Sequence, residues 1–117
     1  MDAVIVWRWD TVELGRNKLA KELAHDTEAF WADHAAAGRS SRTEWLANPD
    51  FSAPQMYMVR GDFQTLAGIT MTPEYMRLAM RSAAILTDPQ QSWYFPGDSV
   101  DTLWATWWDV VEEIEGA

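Results

Sequence analysis

The two histidines, His25 and His34, are the side chains whose charge changes most easily near neutral pH. On one continuous helix they would point about 180° apart, so they could not bind the same metal ion. Glu22 and His25 form one Glu-x-x-His step, whereas di-iron bundles need two carboxylate and histidine contributions. His34 follows Phe30 and Trp31 on the expected inward side, where burial would tune its protonation. We therefore predict a catalytic role for His34, with a core or helix-end histidine as the alternative, and no metal site.

Arg8 is the other candidate catalytic residue, because it lies in an otherwise apolar stretch, residues 3–9 (AVIVWRW). A buried guanidinium group needs a carboxylate partner or a bound anion. A salt bridge to one of the chain's acidic residues would meet this need structurally. If Arg8 instead lines a cavity together with Trp9, it would bind a substrate carboxylate or enolate.

Aromatic side chains are the most unusual feature of the composition, with 8 tryptophans in 117 residues. Apolar cavities with a few polar groups are the usual sites for small molecules. We predict Trp7, Trp9, Tyr57 and Trp93 as ligand-binding residues, with Tyr57 or Tyr94 supplying a hydrogen bond. In the alternative interpretation, the same rings fill the core between the sheet and its helices.

The composition also restricts the classes of partner. Nine Lys and Arg residues against 18 Asp and Glu residues give a net charge of −9, which would repel nucleic acids and anionic membrane surfaces. The absence of cysteine excludes disulfides, thiolate catalysis and cysteine-based zinc sites. The start of the chain does not read as a signal peptide, and no apolar run approaches the length of a membrane span, so we expect a soluble, cytoplasmic protein. No pattern identifies a cofactor.

The elements that must position these side chains begin with residues 3–9, whose β-branched and aromatic composition predicts a central strand. Strand alternation separates two sets of side chains, with Val4, Val6 and Arg8 on one face and Ala3, Ile5, Trp7 and Trp9 on the other. Both faces are apolar enough to need cover, from helices on one side and from something else on the other.

A long helix is predicted next. Asp10 or Thr11 would cap it, and it would end near Gly38. Asp26 and Thr27 interrupt the apolar periodicity, so either a bent helix or two helices would fit. Further strands are predicted at residues 39–47, 55–60 and 91–95, of which the first has only weak alternation.

Two more helices complete the chain. After a short helical turn at residues 63–70, Thr72 would cap a helix whose first residue is Pro73. Ser99 would cap the last helix, whose apolar stripe comprises Val100, Leu103, Trp104, Trp107, Val111 and Ile114. Because aromatic rings dominate interface hot spots, we predict that Trp104, Trp107 and Trp108 pack on the domain or on a partner.

The predicted order of elements is the split βαβ arrangement of ferredoxins. With AVIVWRW, QMYMVRGD and QSWYFPGD as strands and TPEYMRLAMRSAAIL as the second helix, the chain resembles the dimeric α+β barrel superfamily. The resemblance implies a four-stranded sheet with helices on one face and a partner's sheet on the other. It also implies a pocket for a small organic molecule, although some members are cofactor-free enzymes and others bind haem or merely assemble.

We therefore predict one ferredoxin-like α+β domain over residues 1–117, forming a homodimer through its sheet and its terminal helix. The predicted function is the binding or conversion of a small apolar or aromatic molecule in an internal pocket. The alternative is a non-catalytic interaction module that uses the aromatic C-terminal helix. A cavity with Arg8, His34 or a tyrosine facing inward would favour a ligand, and a filled core with Trp104 or Trp108 exposed would favour a partner.

Overall fold

The computed structural model describes residues 1–116 and contains one four-stranded antiparallel sheet with helices packed on one face. The elements are β1 (Asp2–Trp9), α1 (Asn17–Ala36), β2 (Glu44–Leu46), β3 (Gln55–Asp62), α2 (Phe63–Thr70), α3 (Pro73–Ile85), β4 (Gln90–Tyr94) and α4 (Asp98–Glu115). The strand order is β2-β3-β1-β4. This topology confirms the predicted ferredoxin-like α+β class with an additional C-terminal helix.

Strand β1 lies inside the sheet, and its two faces are those that the alternation predicts. Ile5 pairs with Val59 of β3 and with Trp93 of β4. We call the side of Ile5 the helix-side face; it comprises Ala3, Ile5, Trp7, Trp9, Trp45, Tyr57, Val59 and Trp93. We call the other side the open face; it comprises Val4, Val6, Arg8, Glu44, Leu46, Met56, Met58, Arg60, Gln90, Ser92 and Tyr94.

The hydrophobic core forms between the helix-side face and three helices. Ile5, Trp31 and Leu66 come from β1, α1 and α2, and all three are fully buried. Tyr75 of α3 joins the same cluster with 4% of its surface exposed. The helices therefore cover only one face of the sheet.

The helix expected from Asp10 or Thr11 begins later, at Asn17. The reason lies in the preceding segment, where Val12 forms an isolated antiparallel bridge with Leu86. The backbone N–H and C=O groups around Val12 are paired in this bridge, so they are not available for the first turn of a helix. Once started, α1 continues for 20 residues, so the predicted alternative of two helices does not occur.

Strand β2 has three residues and is much shorter than the predicted strand at residues 39–47. The Ser41 backbone N–H donates to the carbonyl of Arg60 (2.7 Å), and the Arg60 N–H donates to the Ser41 hydroxyl (2.9 Å). A side chain here replaces one backbone partner, and regular pairing is confined to Glu44–Leu46.

The remaining helices differ slightly from the predictions. Residues 63–70 form a complete helix, α2, because Asp62 caps it by accepting from the Thr65 N–H (3.2 Å). Thr72 caps α3 as predicted, with Pro73 as its first residue. Ser99 does not cap α4, which begins two residues earlier than predicted, at Asp98, after Gly97 with a positive φ of 58°. Within residues 1–116, no helix is both long and apolar enough to cross a lipid bilayer.

Candidate functional site

A cavity of about 150 Å³ lies between the helix-side face of the sheet and helices α1 and α3. Ten residues line it: Trp9, Val12, Ala20, Leu23, Ala24, Thr27, Trp45, Tyr57, Ser82 and Leu86. The strands supply aromatic side chains, and the helices supply small and aliphatic ones. We name this space the aromatic cavity.

Three adjacent strands each contribute one ring to the same wall of the aromatic cavity. The rings of Trp45 and Tyr57 have centroids 4.8 Å apart, since these residues pair across β2 and β3. The Trp9 ring lies 6.2 Å from that of Trp45 and 6.4 Å from that of Tyr57. These separations fall within the range of interacting aromatic pairs, so the wall is a packed surface suited to a planar ligand.

The opposite wall comes mainly from α1, and its spacing explains why space remains. Ala20, Leu23, Ala24 and Thr27 follow the i, i+3, i+4, i+7 pattern of one helix face. Two of the four are alanines, whose short side chains do not reach the aromatic wall. The cavity therefore exists because small residues face large ones across it.

Two of the lining residues, Thr27 and Tyr57, carry hydroxyl groups that donate to no acceptor within residues 1–116. Burial raises the pKa of Tyr57 well above its usual range, and the neighbouring Tyr75 hydroxyl raises it further. The Trp31 indole N–H, which lies near the Tyr57 oxygen but outside hydrogen-bond geometry, acts in the opposite direction. Tyr57 is therefore a neutral hydrogen-bond donor at physiological pH.

Trp45 is anchored at the edge of the cavity by Glu28 of α1. The Trp45 indole N–H donates to Glu28 Oε2 (2.6 Å), and the Thr43 hydroxyl donates to the same oxygen (2.8 Å). Hydrogen bonds to a charged carboxylate are stronger than those between neutral groups. The two hydrogen bonds to Glu28 connect the short strand β2 to α1. They also hold the ring of Trp45 in place, although this residue is 39% exposed.

Trp7, predicted to bind the ligand, lies behind the cavity wall. Its ring stacks on that of Tyr57, with centroids 6.4 Å apart and planes at 18°. Its indole N–H donates to the Tyr75 hydroxyl (2.7 Å), which in turn donates to Gln91 Oε1. Tyr75 thus has both hydrogen-bonding roles filled, whereas Tyr57 has a free donor.

His34, the predicted catalytic histidine, lies beyond Trp31 and does not line the cavity. Its ring packs against Phe30, with centroids 4.7 Å apart. Its Nδ1 accepts a hydrogen bond from Arg39 Nε (2.8 Å). Burial lowers the pKa of His34, and the charge of Arg39 lowers it further. Among the residues that the structure describes, no group of three or more His, Cys, Asp or Glu side chains is placed to hold a metal ion.

Arg8 and Trp93 are separated from the aromatic cavity in different ways. Arg8 is on the open face, where it donates to Gln90 Oε1 (3.2 Å) and Ser92 Oγ (3.5 Å). Trp93 is on the helix-side face but packs on Phe63, with ring centroids 5.3 Å apart. The structure therefore brings Trp9 and Tyr57 together at the cavity, with Trp7 behind them, and places Arg8, His34 and Trp93 elsewhere.

Helix α4 extends from the β4 edge with its apolar stripe uncovered. Trp104 and Trp107 are each 55% exposed and Trp108 is 61% exposed. In the single chain these rings do not pack on the domain, so that part of the prediction is wrong. The other part, packing on a partner, stays a prediction. This exposure is large for tryptophan, a residue that is usually well buried.

The residues that sequence reasoning missed are Thr27, Trp45 and the aliphatic positions of α1. Trp45 belongs to a predicted strand, and its pairing with Tyr57 would have placed both rings on one wall. The weak alternation of residues 39–47 hid that register. The sequence indicates Thr27 as a possible helix cap, whereas the structure places it at a buried position on the cavity side.

No protein-family model and no curated protein matches this chain. Solved structures of the same fold do match it. SnoaB, described as a cofactor-independent oxygenase from Streptomyces nogalater, has a TM-score of 0.61 at 17% identity, over 83% of this chain and 94% of its own. A dimeric ferredoxin-like protein of unknown function from Thermobifida fusca has a TM-score of 0.64 at 8% identity, over 82% and 92%.

A third similar structure is a putative antibiotic biosynthesis monooxygenase from Nitrosomonas europaea, with a TM-score of 0.56 at 12% identity over 81% of this chain and 89% of its own. Together these similarities show a ferredoxin-like fold. At such low identity they carry no residue roles to this chain.

Proposed function

We propose that this protein binds a small aromatic molecule in the aromatic cavity. The observation that carries the proposal is the composition of the cavity wall: three rings on one side, small aliphatic residues on the other, and two hydroxyl donors without acceptors. Apolar walls with a few placed polar groups are typical of small-molecule sites.

The volume limits the size of what can be enclosed. A cavity of about 150 Å³ is comparable to an engineered apolar cavity that holds benzene. The lining reaches the surface at Trp45 and Ala24, both of which are exposed. A ligand with one ring would be held entirely, and a larger one would insert one ring and leave the rest at the mouth.

The Tyr57 hydroxyl favours a ligand that carries an oxygen on its ring. As a neutral donor, Tyr57 would bind a phenol, quinone or carbonyl oxygen that enters the cavity. The same donor would stabilise negative charge on that oxygen if the ligand were deprotonated. A phenolic or ketonic aromatic molecule is therefore the class of ligand that the cavity chemistry supports.

Two of the similar structures are described as a cofactor-independent oxygenase and as a putative monooxygenase. Oxygenation of an aromatic ligand would be compatible with a neutral donor that stabilises an oxyanion. However, no residue in the cavity lining is a histidine or a carboxylate that could take a proton from the ligand. The described residues thus support binding further than they support catalysis.

We also propose that a second copy of the chain covers the open face. Apolar side chains occupy its centre, including Val4, Met56 and Met58, and none of the helices that the structure describes packs over them. Sheets that are apolar on both faces need cover on both. The dimeric description of a similar structure supports a homodimer.

Partner binding through α4 is a second candidate function, favoured by the exposure of its three tryptophans. The helix has no Lys or Arg and six acidic residues, Asp98, Asp101, Asp109, Glu112, Glu113 and Glu115. Two such helices would repel each other strongly, whereas residues 1–97 carry all nine basic residues beside twelve acidic ones and have a net charge of only −3. We therefore propose that α4 packs on the body of the second copy. Trp108→Glu should then weaken the dimer, whereas binding to a different protein would leave the dimer intact.

The ligand proposal is tested with phenol and toluene as probes, which share a ring and differ in the hydroxyl group. Binding would be followed by quenching of tryptophan fluorescence, since Trp9 and Trp45 form the wall. We expect both probes to bind and Ala20→Leu, which fills the cavity, to abolish binding. Ala29→Leu is the matched control, because Ala29 is exposed on the same helix and does not line the cavity.

Tyr57→Phe separates the ring from its hydroxyl group. We expect it to reduce phenol affinity by about 5- to 10-fold, the effect of one hydrogen bond, and to leave toluene affinity unchanged. Equal quenching by both probes in the wild type and in Ala20→Leu would overturn the proposed site.

A further inference from the structure

The open face carries one cation, Arg8, and one carboxylate, that of Glu44, that have no ionic partner within residues 1–116. Arg8 donates only to the neutral side chains of Gln90 and Ser92. Its Nε atom is buried and has no hydrogen-bond partner. Arg8 is partly buried, and a charged group that is partly removed from water is stabilised by a counter-ion, so we expect Arg8 to bind a carboxylate or another anion from outside the chain.

The strand carboxylates on this side of the sheet are those of Asp2, Glu44 and Asp62. Asp62 forms an ion pair with the N-terminal ammonium group (3.3 Å) and caps α2. Asp2 lies 4.0 Å from the Arg60 guanidinium. Within residues 1–116, Glu44 forms neither an ion pair nor a side-chain hydrogen bond, and it is exposed. Glu44 is therefore the carboxylate that remains available.

The sheet keeps Arg8 and Glu44 of one chain apart. Arg8 of β1 pairs with Met56 of β3, and Glu44 of β2 pairs with Met58 of β3. Strand β3 therefore lies between Arg8 and Glu44. Two strand spacings and two residues along the strand separate their backbones by roughly 12 Å. The midpoint between them lies on β3, between the two methionines.

We propose that, in the homodimer, Arg8 of each copy pairs with Glu44 of the partner subunit. This inference rests on the proposed sheet-to-sheet dimer. A two-fold axis that lies between the two sheets, passes over the midpoint on β3 and runs perpendicular to the line from Arg8 to Glu44 would place each Arg8 opposite the partner's Glu44, because an isologous interface repeats every contact. Packed sheets lie about 10 Å apart, a gap that the long Arg and Glu side chains can bridge. Met56 and Met58 would then form the apolar centre between two reciprocal ion pairs.

The test uses charge reversal and the symmetry of the contact. Arg8→Glu would place two carboxylates opposite each other at both pairs, and Glu44→Arg would place two guanidinium groups there. Each variant alone should dimerise at least about 100-fold more weakly than the wild type. A mixture of the two variants would restore opposite charges at both positions. We therefore expect native mass spectrometry of the mixture to show the heterodimer almost exclusively, and the double variant to dimerise like the wild type.

The outcomes separate this inference from the proposals on which it rests. A monomeric wild type would overturn the dimer itself. If the wild type is dimeric and both single variants dimerise with the same affinity as the wild type, only the ion pair is overturned. The partner of Arg8 would then be a dissolved anion or another molecule. Toluene binding should persist in every variant, since neither residue lines the cavity. If Arg8→Glu does not fold, Glu44→Arg and the neutral Glu44→Gln still test the pair. We expect Glu44→Arg to lose more dimer affinity than Glu44→Gln.

Discussion

The same strands form both faces of the sheet, yet the polar side chains of the two faces differ in the partners that they lack. On the helix-side face, Trp7 donates to Tyr75 and Tyr75 donates to Gln91, whereas the hydroxyl group of Tyr57, which lines the cavity, donates to no acceptor within residues 1–116. On the open face, Arg8 and Glu44 have no ionic partner within residues 1–116. The first pattern fits a small uncharged ligand, and the second fits a charged, self-complementary surface. Apolar residues alone do not distinguish these two roles, but the unsatisfied polar groups do.

Neighbouring residues of β3 provide the strongest test of this difference. Val59 faces the core with 1% of its surface exposed, whereas Met58 faces the open side and is only partly buried. Val59→Glu should destabilise the protein by about 4 kcal/mol or more, because it buries an unpaired charge. Met58→Glu should leave the monomer folded and prevent dimerisation. Thermal unfolding followed by circular dichroism and sedimentation velocity measure the two effects.

The comparison fails if both variants unfold, since the open face would then be part of the monomer's own core. It also fails if Met58→Glu remains a dimer of wild-type affinity.

A pair of tyrosines tests the same contrast within the helix-side face. Tyr75→Phe removes a hydroxyl that accepts from Trp7 and donates to Gln91, and leaves both of these groups unsatisfied. The expected cost is about 1–3 kcal/mol of unfolding free energy. Tyr57→Phe removes a hydroxyl that donates to nothing in the described chain, so its cost should be less than about 0.5 kcal/mol. Urea denaturation of the two variants gives both values, and equal losses would contradict the assignment of Tyr57 as a free donor.

The smallest expected effect concerns His34. Its pKa is lowered by burial and by Arg39, so the folded protein favours the neutral imidazole. The unfolded chain binds a proton more readily, and the stability contributed by neutral His34 is present above pH 6.5 and is lost as the pH falls through the lowered pKa. His34→Gln should therefore reduce the slope of stability against pH just below pH 6.5. His25→Gln is the matched control for removing a histidine from the same helix, and an identical effect of the two substitutions would contradict the prediction.

Much of the fold could be predicted from local patterns. The alternation in residues 3–9 correctly separated the two faces of β1, and Thr72 with Pro73 correctly marked the start of α3. The start of α1 could not be predicted, because the bridge between Val12 and Leu86 joins segments that are far apart in the sequence.

The candidate site was only partly predictable for a similar reason. Trp9 and Tyr57 were identified because large aromatic residues on strands suggest a cavity or a core. The cavity, however, also depends on the small side chains of Ala20 and Ala24 on α1, which carry no chemical signal. For α4, the apolar stripe was visible in the sequence, but whether the domain covers it depends on the direction in which the helix leaves the sheet.

The most direct test of the central claim is a phenol titration of the protein with ¹³C-labelled methyl groups, observed by NMR. The aromatic cavity predicts that chemical-shift changes concentrate on Val12, Leu23 and Leu86, which line it. The methyl groups of Val4, Val6 and Met58 on the open face should not respond. Saturable shifts confined to the open face, or none at all up to millimolar phenol, would contradict the assignment of ligand binding to the helix-side face.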